Sequence, residues 1–166
     1  MSAMAGRSLR DWIALALFLA LCLGVGAVGA VIVQTSVSTW YADLVKPSFN
    51  PPDAVFGPVW TVLYAMMAVA AWRIWLTADR ETSRGPLTLF ALQLGLNLGW
   101  TLVFFGLQKT DSALATIVVL DVGVTVTTLA FRTVDRIAAF LMMPYLAWVI
   151  FATALNFSIW RLNPAV

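Results

Sequence analysis

Residues 12–33 read WIALALFLALCLGVGAVGAVIV, an apolar stretch without a single charged residue. About 20 mostly apolar residues are enough for an α-helix to cross the hydrocarbon core of a bilayer. Four more segments have this length and character, so the expected spans are 12–33, 55–76, 87–107, 113–131 and 137–160. The sequence therefore predicts an all-α membrane protein, a bundle of five transmembrane helices that forms a single domain over residues 1–166.

The composition excludes several classes of protein. Hydrophobic residues make up 61% of the chain and charged residues 11%, whereas soluble domains carry roughly 25% charged residues. The chain has no histidine and one cysteine, which excludes histidine-ligated metals, histidine general bases and internal disulfides. We expect no metal site and no required cofactor. The net charge of +2 gives no reason to expect a nucleic-acid partner.

Positive charges are unequally divided between the two sides of the predicted membrane. The N-terminus and the second and fourth connections carry Arg7, Arg10, Arg73, Arg80, Arg84, Arg132 and Arg136. The opposite side carries Lys46, Lys109 and Arg161. The positive-inside rule therefore predicts that the N-terminus is inside and the C-terminus outside. A cleaved signal peptide is the alternative for the first span, but the apolar stretch exceeds the usual 7–15 residues, and we expect a retained helix.

The ends of the spans carry two further signals. Asp111 or Ser112 is a candidate cap for the fourth helix, since both residue types accept hydrogen bonds from free backbone amides. Tryptophans near span ends are typical of the membrane interface. We expect an interfacial position for four of them, which are Trp12, Trp72, Trp75 and Trp160.

The first connection, residues 34–54, is unusually rich in proline and aromatic residues. It contains Trp40, Tyr41, Pro47, Pro51 and Pro52. Prolines restrict the backbone at low entropic cost and aromatic rings supply apolar area. Two interpretations stay open: an ordered lid over a cavity mouth, or an interfacial loop whose aromatic residues lie in the membrane's aromatic belt.

The third span has two different faces. At 100° per residue, one stripe carries Gln93, Asn97, Trp100 and Phe104. Buried amides in a membrane need a partner or a polar space, so this stripe should face the bundle interior. The opposite face carries Gly95 and Gly99, whose spacing lets a second helix approach closely. That helix belongs either to the same chain or to a second copy in a homodimer.

Aromatic residues also converge from two other spans. The second span has Phe56, Trp60, Tyr64, Met67 and Ala71 on one face, and the fifth has Tyr145, Trp148, Ala152 and Asn156. Core packing is one explanation of such stripes. The other is a pocket that holds a flat, amphipathic, aromatic ligand by stacking and a few hydrogen bonds.

Asp121 lies within the fourth span. An intramembrane carboxylate suggests a functional site by default, either in a proton path or as a structural acceptor for nearby Thr or Trp donors. No second ionisable residue lies near mid-span, which favours the structural role. Thr125, Thr127 and Thr128 are expected to bond back to their own helix.

Three motifs resemble the TspO/MBR family, whose members include the peripheral-type benzodiazepine receptors. Residues 40–64 follow the pattern WYxxLxKPxxxPPxxxFxxxWxxLY. Residues 93–105 follow QxxxNxxWxxxFF, and residues 144–163 follow PYLAWxxFATxLNxxxWRxN. The similarity covers nearly the whole chain, in the right order, and is typical of a prokaryotic member in a bacterial or archaeal envelope membrane.

The resemblance implies a five-helix bundle whose interior pocket is capped by the first loop. It also implies binding of porphyrins, especially protoporphyrin IX, and of isoquinoline- or benzodiazepine-type ligands. Together with the inward stripes, it gives ten candidate ligand-binding residues: Tyr41, Pro51, Phe56, Trp60, Tyr64, Asn97, Trp100, Phe104, Trp148 and Ala152. Lys46, outside the bilayer near the expected pocket mouth, is a candidate partner for a porphyrin propionate, or else a solvated or lipid-phosphate contact.

Sterol binding is implied by animal members, which carry a tyrosine near the end of the fifth helix. Phe157 stands at that position here, which weakens the sterol prediction. The first hypothesis for function is a tetrapyrrole receptor, sensor or carrier. The alternatives are a porphyrin or sterol transporter, and an enzyme that degrades protoporphyrin in light and oxygen with Trp60 and Trp148 as electron donors. The sequence offers no acid–base pair of the kind that conventional catalysis requires.

Overall fold

A computed structural model describes residues 8–77 and 79–164, so Arg7 lies outside the described residues. Five helices are long and apolar enough to cross a membrane, which confirms the predicted five-helix architecture. A short helix, α2, lies in the first connection, and a π-helical segment, Leu102–Gly106, continues α4. The helices are α1 Leu9–Gln34, α2 Trp40–Asp43, α3 Asp53–Thr77, α4 Arg80–Thr101, α5 Thr110–Val134 and α6 Arg136–Leu162.

Three of the long helices, α1, α4 and α6, start earlier than hydropathy alone predicts, and polar residues cap them. Ser8 and Asp11 form a capping box at α1, in which the Ser8 amide donates to the Asp11 carboxylate at 2.9 Å. Asp79 accepts from the Thr82 amide at 2.7 Å and begins α4. Asp135 accepts from the Ile137 amide at 2.8 Å and begins α6.

The predicted cap of the fourth span is wrong. Helix α5 begins at Thr110, and its N-cap position is Lys109. Gln108, just before the helix, has a φ of 57°. Asp111 lies in the first turn, where its carboxylate accepts from the Ser112 amide at 2.6 Å.

The five long helices form a closed ring. Helix α1 packs mainly on α3, α3 also packs on α6, α6 on α5, α5 on α4, and α4 completes the ring on α1. The centre of the bundle is filled by fully buried side chains such as Met67, Ile117, Leu120 and Met142. Helix α1 is the least buried of the five, with Ala14, Cys22 and Gly29 as its buried residues.

Because successive helices run in opposite directions, the bundle has two distinct ends. The basic end holds the starts of α1, α4 and α6 and the ends of α3 and α5, with Arg10, Arg84, Arg132 and Arg136. An ion pair also lies there, with Arg73 Nη2 2.7 Å from Asp135 Oδ2. The loop end holds the first connection, residues 107–109 and the end of α6.

Trp72, predicted to be an interfacial tryptophan, is buried within the bundle. Its side chain is 5% exposed, and its indole Nε1 donates to the backbone oxygen of Asp11 at 2.8 Å. The ring also lies 5.9 Å from the ring of Trp12, which is 41% exposed. Trp72 is buried because it lies on the face of α3 that α1 covers, although it is near the end of the span.

Asp121 connects two helices. The Thr153 hydroxyl on α6 donates to Asp121 Oδ2 at 2.8 Å, as expected of a structural acceptor. The hydroxyls of Thr125, Thr127 and Thr128 bond to backbone oxygens of α5 one turn earlier, at 2.7, 2.7 and 2.8 Å. These contacts agree with the expected back-bonding within the helix.

Candidate functional site

A cavity of about 680 Å³ lies at the loop end, between α1, α3, α6 and the end of α4. Cavities of roughly 300–1,000 Å³ with mostly apolar walls are typical of small-molecule sites. Eight of the ten candidate ligand-binding residues line it. They are Tyr41, Phe56, Trp60, Tyr64, Trp100, Phe104, Trp148 and Ala152.

Large aromatic side chains from α3 and α6 form two walls of the cavity. Phe56 and Trp148 face each other across these helices, with ring centroids 5.9 Å apart in an edge-to-face arrangement. One turn deeper, the Trp60 ring lies 5.5 Å from Tyr64 and 6.2 Å from Tyr145. Trp60 and Trp148 are half-buried, so their rings have exposed surface that a ligand can cover.

The segment Leu102–Gly106 forms a third wall, which contains the predicted residue Phe104, and its π-helical conformation was not predicted. A π-turn inserts one extra residue into the helix, and here two successive phenylalanines lie against Tyr41. The Phe104 and Phe105 rings lie 6.3 and 5.5 Å from the Tyr41 ring and 4.8 Å from each other. Both rings line the cavity.

Trp100 is held in place by a chain of hydrogen bonds. Its Nε1 donates to Asn156 Oδ1 at 3.1 Å, and Asn156 Nδ2 donates to the backbone oxygen of Thr110 at 2.8 Å. This chain joins α4, α6 and the start of α5. Both Trp100 and Asn156 line the cavity, so the bonds fix the direction in which the indole ring faces it.

Small residues of α1 form the fourth wall, which sequence reasoning missed. Gly26, Ala27, Gly29 and Ala30 all line the cavity. A Cβ atom at Gly26 would lie 2.7 Å from Cδ2 of the Tyr64 ring, so only glycine lets α1 approach α3 this closely. The cluster of glycine and alanine at residues 24–30 was the available signal, but α1 is apolar on every side and shows no preferred face.

A buried polar network lies beneath the cavity. The Tyr64 hydroxyl donates to Asn97 Oδ1, Asn97 Nδ2 donates to the Tyr145 hydroxyl at 3.2 Å, and that hydroxyl donates to Gln93 Oε1 at 2.9 Å. Asn97 was expected among the ligand-binding residues, yet it does not line the cavity. Asn97 is 1% exposed, and its side-chain amide is bonded to two tyrosines. One of them, Tyr64, lines the cavity and separates Asn97 from it.

Side-chain hydrogen bonds within the first connection fix its shape over the cavity. The Tyr41 hydroxyl donates to Asn50 Oδ1 at 3.0 Å, and Asn50 Nδ2 donates to the backbone oxygen of Pro51 at 3.0 Å. Tyr41 is 4% exposed and lines the cavity, which favours the lid interpretation over an aromatic belt for this residue. Burial, reinforced by the Asp53 carboxylate and opposed by the Asn50 hydrogen bond, raises the pKa of Tyr41 to about 12.

Pro51 and Lys46 belong to this lid but do not line the cavity. Pro51 is half-buried, and its backbone oxygen holds Asn50. Lys46 Nζ donates to the backbone oxygen of Ala42 at 3.2 Å and lies 4.6 Å from the centre of the Tyr41 ring. The ammonium group is therefore on the outer side of the residue that closes the cavity.

Gly95 and Gly99 lie on the outer surface of α4, away from the cavity. A Cβ atom at either position would meet no other residue within 4 Å. No helix of the described chain packs closely on this glycine face. The side of α4 that we expected to contact a second helix is therefore open.

The chain is similar to several named proteins over most of its length. The TspO/MBR family model matches residues 18–161. The tryptophan-rich protein TspO of Chlorobaculum tepidum is 46% identical over 157 residues, which are 93% of this chain and 99% of that protein. The tryptophan-rich sensory protein of Cereibacter sphaeroides is 41% identical over 92% of this chain and 93% of its own length. The translocator protein of Homo sapiens is 39% identical over 82% of each chain. The protein is therefore an integral, multi-pass membrane protein that belongs to the TspO/MBR family.

Proposed function

We propose that the loop-end cavity binds protoporphyrin IX and that the protein acts as a tetrapyrrole receptor, sensor or carrier in the membrane. The observation that carries this proposal is the convergence of tryptophan side chains from three helices, Trp60, Trp100 and Trp148, on one cavity beneath an anchored lid. Family membership and the name of the sensory relative support a receptor or sensor role.

The walls of the cavity suit a flat aromatic ring system. Aromatic faces and edges bind such rings by stacking and by edge-to-face contacts. The polar groups at the walls are few, and the Tyr41 hydroxyl and the Trp100 indole already have hydrogen-bond partners. Isoquinoline- and benzodiazepine-type compounds are flat and largely apolar, and we expect them to compete for the same cavity.

The propionates of the porphyrin need a place outside the apolar walls. Among the described residues that line the cavity there is no lysine or arginine, and Asp53 adds a negative charge. Lys46, 4.6 Å from the Tyr41 ring centre, is the cation beside the lid. We therefore propose that the propionates point toward Lys46 while the macrocycle lies in the cavity, against the aromatic side chains of α3 and α6.

The ligand is expected to be metal-free. The chain has no histidine, and Cys22 and Met67 are fully buried in the bundle without lining the cavity. An iron porphyrin would find no sulfur or imidazole ligand from these residues at the cavity wall. Protoporphyrin IX should bind at least as tightly as haem, and a haem spectrum with an axial-ligand signature would contradict this.

Degradation of protoporphyrin in light and oxygen is the second candidate function. The observation in its favour is that Trp60 lies at the cavity and contacts two tyrosine rings. An indole in this position can donate an electron to an excited macrocycle, and most of the chemistry would belong to the ligand. Enzymatic degradation would have to yield a defined product, whereas loss of the porphyrin colour alone would not demonstrate it.

We also propose that the basic end of the bundle faces the inside of the cell, as the positive-inside rule predicts. The lid and the C-terminus would then lie outside, in a bacterial or archaeal envelope membrane. Pairing of two copies through the open face at Gly95 and Gly99 is the corresponding proposal for a homodimer.

Titration of the purified protein with protoporphyrin IX in detergent, in the dark, tests the function. Tryptophan quenching and the porphyrin absorption band are recorded for Trp60→Phe and Trp148→Phe, with Trp75→Phe at the basic end as the matched control. We expect saturable binding that weakens severalfold in the first two variants and is unchanged in the control. Absence of saturable binding, or an equal loss in all three variants, would contradict the proposal.

Two additional arms separate the finer claims. Lys46→Gln should lower the affinity for protoporphyrin IX and leave the affinity for an uncharged isoquinoline ligand unchanged. Lys109→Gln is the control at the same end. Illumination of the bound complex then distinguishes the two functions. A defined product that disappears in Trp60→Phe would favour the enzyme, whereas stable bound ligand favours the receptor or carrier.

A further inference from the structure

A second concave surface lies at the basic end, far from the lid. It has a volume of about 650 Å³ and is formed where the start of α1, the end of α3 and the first half of α4 meet. Its polar side chains come from Arg10, Asp11, Ser83, Arg84 and Thr88. We call this surface the basic groove.

Two arginines give the basic groove its positive charge. Arg10 lies with its guanidinium carbon 5.3 Å from the centre of the Trp75 ring, a cation–π contact that holds it at the groove. Arg84, on α4, also lines the groove. Neither guanidinium forms a salt bridge with any residue that the structure describes. Both therefore retain donors for a ligand.

One carboxylate, that of Asp11, also lines the basic groove. Its Oδ2 atom accepts from the Ser8 amide at 2.9 Å as part of the capping box. Glu81, one turn before Arg84, does not line the groove. The side chains that line the groove thus carry two positive charges and one negative charge, and the negative one is already bonded to the backbone.

Two helix N-termini also lie at this end, where α1 and α4 begin at Leu9 and Arg80. A helix N-terminus carries a partial positive charge, because its first amides have no helical partners. Carboxylates already lie at both termini, since Asp11 accepts from the Ser8 amide and Asp79 from the Thr82 amide. The attraction for an anion therefore rests on the two guanidiniums.

The apolar part of the basic groove distinguishes a lipid from a free phosphate. Arg84, Leu87, Thr88 and Ala91 follow one another at spacings of three and four residues on one face of α4. From Arg84 to Ala91 this face rises about 10 Å along the helix, toward the membrane interior. Gly95 continues it as an open surface on which a Cβ atom would meet nothing within 4 Å.

We infer that the basic groove binds an anionic phospholipid, with its phosphate between Arg10 and Arg84 and an acyl chain along Leu87 and Ala91 of α4. Such a lipid has a charged head group at the membrane interface and apolar chains below it. The two arginines and the apolar strip of α4 match these two parts. Basic pockets between transmembrane helices are known to bind acidic lipid head groups. The occupied groove would brace α1, the least buried helix, against α3 and α4.

Native mass spectrometry and thermal unfolding of the full chain in detergent test this inference. The probes are dioleoylphosphatidylglycerol, dioleoylphosphatidylcholine with the same chains, and glycerol phosphate without chains. The variant is R10Q/R84Q. The matched control is R132Q/R136Q, which removes the same charge from exposed positions at the same end.

We expect the native protein to retain phosphatidylglycerol and to gain thermal stability from it, with phosphatidylcholine clearly weaker. R10Q/R84Q should weaken phosphatidylglycerol binding by about tenfold or more, whereas R132Q/R136Q should not. Equal retention of both lipids, or equal loss in both variants, would overturn the inference. Full displacement of the lipid by millimolar glycerol phosphate would assign a phosphate site instead and overturn the lipid assignment.

Ala91→Trp keeps the test valid if the arginine variant does not fold. It leaves every charge in place and obstructs the apolar strip. We expect weaker lipid retention and unchanged protoporphyrin binding, because the loop-end cavity lies at the other end of the bundle. Unchanged lipid retention in this variant would overturn the proposed acyl-chain path.

Discussion

Asn163 and Val45 exchange two hydrogen bonds although they are 118 residues apart. The Val45 amide donates to Asn163 Oδ1 at 3.0 Å, and Asn163 Nδ2 donates to the Val45 oxygen at 3.0 Å. This pair joins the first connection to the end of α6, the helix that carries Trp148. This pair therefore holds the lid on the bundle, and the bond between Tyr41 and Asn50 holds the lid in its own shape.

Asn163→Ala should loosen the lid without unfolding the bundle. Loss of the two bonds is expected to cost about 1–2 kcal/mol locally, which speeds hydrogen exchange at the Val45 amide and dissociation of bound ligand. Ser158→Ala is the control, because its hydroxyl bonds only within α6, to Ala154. Unchanged exchange at Val45 in Asn163→Ala would show that the pair does not hold the lid.

Two glycines of α1 should respond oppositely to alanine. At Gly26 the new methyl group would lie 2.7 Å from the Tyr64 ring, and overpacking of this kind costs about 1–3 kcal/mol. At Gly24 a Cβ atom meets nothing within 4 Å, so alanine should be neutral or stabilise by up to about 1 kcal/mol. Thermal unfolding in detergent measures both. Equal effects at the two positions would contradict the close approach of α1 to α3.

The stability of the lid should depend on pH through Tyr41. Its pKa is raised to about 12 in the folded protein, above the usual value of about 10. The neutral hydroxyl is thus favoured by folding, and its contribution is complete below about pH 10 and lost as the pH rises toward 12. The free energy of unfolding should fall by about 2–3 kcal/mol at most. Melting temperatures above pH 10 should fall more steeply in the native protein than in Tyr41→Phe, and parallel curves would refute this.

Asn97→Ala should lower stability more than ligand affinity. Asn97 bonds to Tyr64 and Tyr145 and does not line the cavity. Hydrogen bonds between transmembrane helices contribute about 0.6 kcal/mol each on average, so we expect a loss of about 1–2 kcal/mol in unfolding free energy. Protoporphyrin affinity should change less than it does in Trp60→Phe. Lost binding in a variant with unchanged thermal stability would instead indicate direct contact between Asn97 and the ligand.

Hydropathy and helical periodicity predicted the spans and their inward faces. Gln93, Asn97, Trp100 and Phe104 are all buried, as their common stripe indicated. Their division between the cavity and the network beneath it was not predictable. Whether an inward side chain meets a ligand or another side chain depends on residues from other helices, here Tyr64 and Tyr145.

Other features were missed for local physical reasons. Helix α1 is apolar on all sides, so no pattern identifies the face with Gly26 as a cavity wall. The π-turn that brings Phe104 and Phe105 together against Tyr41 has no recognisable signature in its own residues. Trp72 satisfies the rule for interfacial tryptophans by position, but α1 covers it.

Filling the cavity tests the account most directly. Ala152 lines the loop-end cavity and Ala91 lines the basic groove, so Ala152→Trp and Ala91→Trp form a matched pair. In folded protein of comparable thermal stability, we expect Ala152→Trp to lower the affinity for protoporphyrin IX by about tenfold or more. This corresponds to a loss of about 1.4 kcal/mol or more in binding free energy. Ala91→Trp should bind it like the native protein. Native-like affinity in Ala152→Trp would show that the porphyrin does not occupy this cavity.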